Sequence, residues 1–167
     1  LDGDAVRVQH RIEDVRLSSE KTYTLSFWAK ADAPKNLSVE WLQYFGTGGS
    51  PSSPVSGIDV QKVTLTTQWQ KFVTTVTFGN ITASVLGTNN DDFFRVNFWL
   101  SAGSLFDSYT DTLGFQTGTF DLAQIQIEEG ITATAFENKH IETELALCQR
   151  YFEKSYDLSV PPGTVNG

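Results

Sequence analysis

The sequence predicts an all-β sandwich of two antiparallel sheets with a short helix at its C-terminal end, and three observations predict it. Large apolar residues recur at every second position in several stretches, which places them on one face of a strand. Between those stretches lie clusters of Gly, Pro, Asn, Asp and Ser that interrupt regular structure. Only after Phe136 does the apolar spacing change to that of a helix.

The elements follow in order. A first strand is expected over 6–12. In "TYTLSFWAKA", Tyr23, Leu25, Phe27 and Ala29 share one face, and Thr24, Ser26, Trp28 and Lys30 share the other. Strands are also expected over 37–45 and 60–66; in the former, Glu40, Leu42 and Tyr44 lie opposite Trp41. In "WQKFVTTVTF", Phe72, Thr74, Val76 and Phe78 alternate with Lys71, Val73, Thr75 and Thr77. In "FFRVNFWL", Phe94, Val96, Phe98 and Leu100 alternate with Phe93, Arg95, Asn97 and Trp99. In "TFDLAQIQIE", strict alternation puts Phe120, Leu122, Gln124 and Gln126 opposite Asp121, Ala123, Ile125 and Ile127. The breakers are the segments 32–34, 46–57, 87–92 and 104–118. About seven strands with no internal helix imply two stacked sheets whose alternate residues fill the space between them. Residues 1–137 are read as this sandwich and 138–167 as a helix and extended exit. In the latter, Ile141, Leu145, Cys148 and Phe152 form one helical stripe and Thr143 is the candidate cap. A stripe so short needs a partner surface, which makes these four residues candidate oligomer contacts.

Composition narrows the function. A chain of 167 residues buries about 68–70% of its unfolded surface and needs no staples. Its single cysteine, Cys148, excludes an intrachain disulfide. No apolar run approaches the roughly 20 residues that cross a bilayer, and no signal-peptide pattern opens the chain. Methionine is absent, so a piece of a longer polypeptide is expected. Twelve basic residues against 20 acidic ones give a net charge of −8, which argues against nucleic acid and anionic membranes as partners, and the lack of a long apolar run argues against membrane insertion. Catalysis is not expected. Glu128 and Glu129 are adjacent, so a strand points them to opposite faces rather than across a cleft. Asp91 and Asp92 share a turn. His10 and His140 lack metal-ligand spacing, no GxSxG occurs, and Cys148 on the helix stripe is expected to be buried.

The segments "QHRIEDV", "KTYTLSFWAKA", "TTQWQKFVTTVTF", "FRVNFWLSAG", "GTFDLAQIQIEEGITATAFE" and "ELALCQRYFEKS" occur in that order. Together they resemble the carbohydrate-binding-module-like domain near the C-terminus of bacteriophage tail fibres and related receptor-binding tail proteins, over about residues 9–155. The last two segments are the most specific, because "LSFWAKA … W … FD" is shared with many jelly-roll carbohydrate-binding modules. The resemblance implies a jelly-roll sandwich that binds host cell-surface polysaccharide during attachment. It also implies a virion component acting outside the host cell, and a homotrimer to which the segment after the sandwich contributes.

Sugar recognition needs an aromatic platform for a pyranose face and polar groups for its hydroxyls. Trp28 and Lys30 on one strand, and Arg95, Asn97 and Trp99 on another, offer that mixture if the two strands share a sheet. The alternative reading buries both tryptophans between the sheets, with Phe27 and Phe98 outside under loops. Tyr44, near a strand end, is a second platform candidate. The long 104–118 loop is a competing site through Phe106, Tyr109 and Phe115, with Asp107 and Asp111 either binding hydroxyls or only capping the loop. The resemblance to jelly-roll sugar binders further suggests a structural calcium. Its oxygens would come from Asp121 of the "FD" strand with Asp2, Asp4 and Glu13, if the fold brings both ends together. Two other functions stay open: a trimerisation tip that binds no sugar, and a depolymerase or esterase accessory module.

Overall fold

A computed structural model describes residues 2–149. Seven strands appear among them: β1 (Ala5–Glu13), β2 (Thr22–Ala31), β3 (Lys35–Tyr44), β4 (Val55–Leu65), β5 (Gln70–Thr77), β6 (Phe93–Ala102) and β7 (Phe120–Glu129). They form two antiparallel sheets. Sheet A has the order β1-β6-β3-β4 and sheet B the order β5-β2-β7. This is the expected sandwich. The chain divides after Ala135, and the unit that begins at Phe136 contains a short helix, α2 (Ile141–Gln149).

Alternation explains the core. Leu25, Phe27 and Ala29 of β2, Val76 of β5, Val39 and Trp41 of β3, and Phe94, Val96 and Phe98 of β6 are all buried between the sheets. Aromatic rings interlock there: Phe27 meets Phe98 edge-on at 5.2 Å and Trp41 meets Phe78 edge-on at 5.7 Å. Edge-to-face contacts suit the ring quadrupole and add to the stabilisation from burial. So Phe27 and Phe98 are the inter-sheet residues, and Trp28 and Trp99 occupy the outer faces of their sheets.

Strand β7 departs from strict alternation. Ser26 pairs with Gln126 but Trp28 pairs with Ala123, so one extra residue is accommodated near Gln124, whose φ is +49°. Such a bulge flips the parity of everything beyond it. Leu122 and Ile127, of opposite parity in the sequence, therefore both pack on the core, opposite Ala29 and Leu25.

Short helical turns join the strands at two places that matter. A 3-10 turn over Val15–Ser18 starts at Asp14, whose side chain accepts from Arg16 N. It is anchored in the sandwich by Asp92, which accepts from Val15 N at 2.8 Å, and by Gln43, which donates to Ser18 Oγ. The 104–118 loop was expected to be irregular but carries a 3-10 turn, Ser104–Phe106, and one α-turn, α1 (Asp107–Thr110). Ser38 Oγ donates to Thr110 O, and Lys62 donates to Asp111 O and pairs with its carboxylate at 3.2 Å. These bonds tie the loop onto the outer face of sheet A.

Candidate functional site

Register on sheet A decides which side chains meet. Trp99 pairs with Arg7 on one side and Ser38 on the other, Asn97 with Gln9 and Glu40, Arg95 with Arg11 and Leu42, and Phe93 with Glu13 and Tyr44. All of these residues are on the face away from the core. The result is a trough across β1, β6 and β3, walled at one end by α1. Two neighbouring hollows with shared lining residues make it up. One, of about 190 Å³, has Arg7, Trp99, Phe106 and Tyr109 in its lining. The other, of about 480 Å³, has Arg11, Tyr44, Phe93 and Asp91 in its lining. Leu42, Ser56 and Arg95 line both.

The floor is polar and held from below. Glu40 is only 1% exposed and accepts from Gly57 N at 2.8 Å and from Asn97 Nδ2. Gly57 has φ +70°, and a Cβ there would stand 3.4 Å from the Tyr109 ring. A glycine is needed because an L side chain disfavours that backbone conformation. With its amide given to Glu40, Asn97 has an Oδ1 with no partner among the described residues; the same holds for Trp99 Nε1 and Arg95 Nε. Buried polar atoms are almost always paired, so three without a partner on one patch are unusual. Asp59 Oδ2 and Thr74 Oγ1 are also unpartnered.

Aromatic groups frame the trough. Tyr44 stacks on Phe93 at 4.8 Å, and the Arg11 guanidinium lies 4.6 Å from the Phe93 ring centre on β1's side. Trp99 does not form the open platform expected of it. It is 2% exposed, with Arg7 4.6 Å over its ring and Phe106 tilted against it at 5.1 Å. The anchored loop covers it, so Trp99 offers no free ring face.

The structure thus brings together Tyr44, Arg95, Asn97, Trp99 and Tyr109, all read from the sequence as sugar-site candidates. It separates Trp28 and Lys30 from them, because β2 belongs to sheet B and β6 to sheet A. Lys30 pairs with Asp121 at 3.5 Å and lies 5.2 Å over Trp69, which is 44% exposed. Phe93, Arg7, Arg11 and Glu40 were not singled out from the sequence. Phe93 carried a signal, since it has the parity of Arg95, Asn97 and Trp99. Of the loop candidates, Asp111 is engaged by Lys62, Asp107 opens α1, and Phe115 is exposed.

The proposed calcium ligands do not fit a calcium site. Asp121 is engaged by Lys30 on sheet B, Glu13 ends β1 on sheet A, and Asp2 and Asp4 flank the 103–105 segment through their backbone carbonyls. No group of three such side chains forms among the described residues. The carboxylates weighed for catalysis have structural tasks. Asp91 holds Thr47 through N and Oγ1, Asp92 holds Val15, Glu128 holds Thr134, and Glu129 pairs with Lys21 at 2.6 Å. In α2, Ile141, Leu145 and Cys148 are exposed, so the expected burial of Cys148 is not met; Phe152 lies outside the described residues. Thr143 is inside the first turn, where its N–H bonds His140 O, instead of capping it.

The described unit is thus a β-sandwich with an aromatic-flanked polar trough on one outer sheet face. The family model described as "Carbohydrate binding domain" matches residues 3–91. The chain belongs to that family, whose members bind carbohydrate without catalysing a reaction. A solved structure titled "CBM4 structure and function" is 23% identical, with a TM-score of 0.47, over 77% of this chain and 64% of that one. No curated protein matches the chain. No helix among the described residues is long and apolar enough to cross a membrane.

Proposed function

We propose that this chain is the receptor-binding module of a bacteriophage tail fibre, and that it holds a bacterial surface polysaccharide in the trough on sheet A. The observation that carries the location is the outer-face patch of Arg95, Asn97 and Trp99, each with a buried polar atom that has no partner among the described residues, beside Tyr44–Phe93 and Tyr109. What supports the tail-fibre context is the likeness of "GTFDLAQIQIEEGITATAFE" and "ELALCQRYFEKS" to such proteins. In this reading the module acts outside the host cell as part of the virion. One site of this kind binds weakly, since a millimolar constant is about −4 kcal/mol. Three linked copies raise avidity by roughly 10² to 10⁴. Exposed Ile141 and Leu145 on α2 suit the contact between copies. Sedimentation at three times the 18.5 kDa chain mass supports that assembly, and a monomer at working concentration contradicts it.

Calorimetry with purified host polysaccharide tests the site. Tyr44→Ala is expected to weaken binding about 10-fold, equal to about 1.4 kcal/mol, while Trp28→Ala on the opposite sheet changes it less than about 2-fold. The reverse ranking moves the site to sheet B.

A further inference from the structure

The charges on the trough are unevenly committed. In a chain with 20 acidic and 12 basic residues, three of the five arginines, Arg7, Arg11 and Arg95, project from two paired strands onto this one face. None of the three forms an ion pair among the described residues, although Arg16, Lys21, Lys30, Lys35 and Lys62 all do. Their flat faces are used by aromatic rings, Arg7 on Trp99 and Arg11 on Phe93. Their edges, which carry the N–H donors, are not used in the same way, and Arg95 Nε is buried without an acceptor.

The carboxylates nearby are already engaged. Glu40 gives one oxygen to Gly57 N and the other to Asn97. Asp91, at the far end, gives both oxygens to Thr47. Glu13 follows Arg11 along β1 on the same face and has a contact of its own. The trough therefore holds a surplus of cationic donors and few available acceptors. Burial, and then the charges of Arg7 and Arg11, press the Arg95 guanidinium below its usual pKa against the opposing pull of Glu40. It stays cationic at neutral pH because guanidinium begins so high. Neutral sugars offer hydroxyls, which donate as readily as they accept. A carboxylate offers only acceptors, and its two oxygens match the guanidinium fork.

From this surplus we infer that the polysaccharide bound on sheet A is acidic, with the carboxylate of a uronic or similar sugar seated among Arg95, Arg7 and Arg11. The inference rests on the trough being the glycan site. It makes the arginines determinants of specificity for the charged residue, with Tyr44 and Tyr109 placed to contact the neighbouring sugars.

The test uses the full chain and a panel of carboxylate-bearing polysaccharides, alginate and acidic bacterial capsules among them. Each is compared with its own carboxyl-reduced form, which keeps the linkage and loses the charge. The expected result is binding of at least one acidic form about 10-fold or more tighter than its reduced partner. That preference shrinks as salt is raised, since screening weakens partly exposed charge pairs. Arg95→Gln should abolish the preference. Arg11→Gln, on the exposed strand β1, should reduce it several-fold with an unchanged thermal midpoint, which guards against a folding defect at Arg95. Equal binding of charged and reduced forms overturns the acidic ligand and leaves the sugar site standing. Binding of no polysaccharide in either form overturns both.

Discussion

Trp41→Ala is expected to lower stability by about 3–5 kcal/mol, the range for truncating a buried aromatic. The Trp41 ring is buried in the middle of the core, edge-on to Phe78 and stacked on Phe94 at 6.4 Å. A domain of this size loses roughly 2–4 °C of melting temperature per kcal/mol, so a fall of about 6–20 °C follows. That is a large share of the roughly 5–15 kcal/mol a folded domain holds. Trp41 points away from Glu40, Leu42 and Tyr44, so glycan affinity measured well below the new midpoint should be unchanged. Urea denaturation showing a loss under about 1 kcal/mol would contradict the assignment of Trp41 to the inter-sheet core.

Glu40→Ala is the second large effect, and it should damage stability and binding together. Removing the carboxylate leaves the Gly57 N–H and the Asn97 amide without their acceptor in a buried place. Each unsatisfied donor costs about 1–3 kcal/mol, so the sum is roughly 2–6 kcal/mol. Asn97, on the outer face between Arg95 and Trp99, then loses the bond that fixes its side chain. Binding should fall by more than about 10-fold, beyond the effect of the truncated platform at Tyr44. Glu40→Gln retains one acceptor, so it should keep the Gly57 bond and lie between the two. A Glu40→Ala chain with full stability and full affinity would remove Glu40 from the site's support.

Much of the sandwich was legible because burial imposes period two. The parity of Phe27 against Trp28, and of Phe98 against Trp99, was readable directly. Leu122 and Ile127 were not, because a single bulged residue at Gln124 reverses parity without a marked change in composition. The site was legible strand by strand but not across strands. Arg95, Asn97 and Trp99 share a face by parity alone. That Tyr44 joins them and Trp28 does not depends on which strands pair, and antiparallel pairing order leaves no local trace in a sequence. Arg7 and Arg11 were overlooked for the same reason, since their meaning comes from lying beside β6. Trp99 was read as a platform because its parity is outward. Its burial comes from the 104–113 loop, held down by Ser38 and Lys62, and such long-range anchoring has no periodic signature.

The indole N–H signals of the four tryptophans, followed by nitrogen–proton correlation NMR during titration with a bound polysaccharide, test the central claim most directly. Trp99 lines the trough, and its indole N–H is buried without an acceptor among the described residues. Its signal should shift or broaden with the binding curve while those of Trp28 on sheet B, Trp69 in the turn before β5 and Trp41 in the core stay in place. A titration that moves Trp28 or Trp69 and leaves Trp99 still would place the glycan on the other sheet and contradict the account.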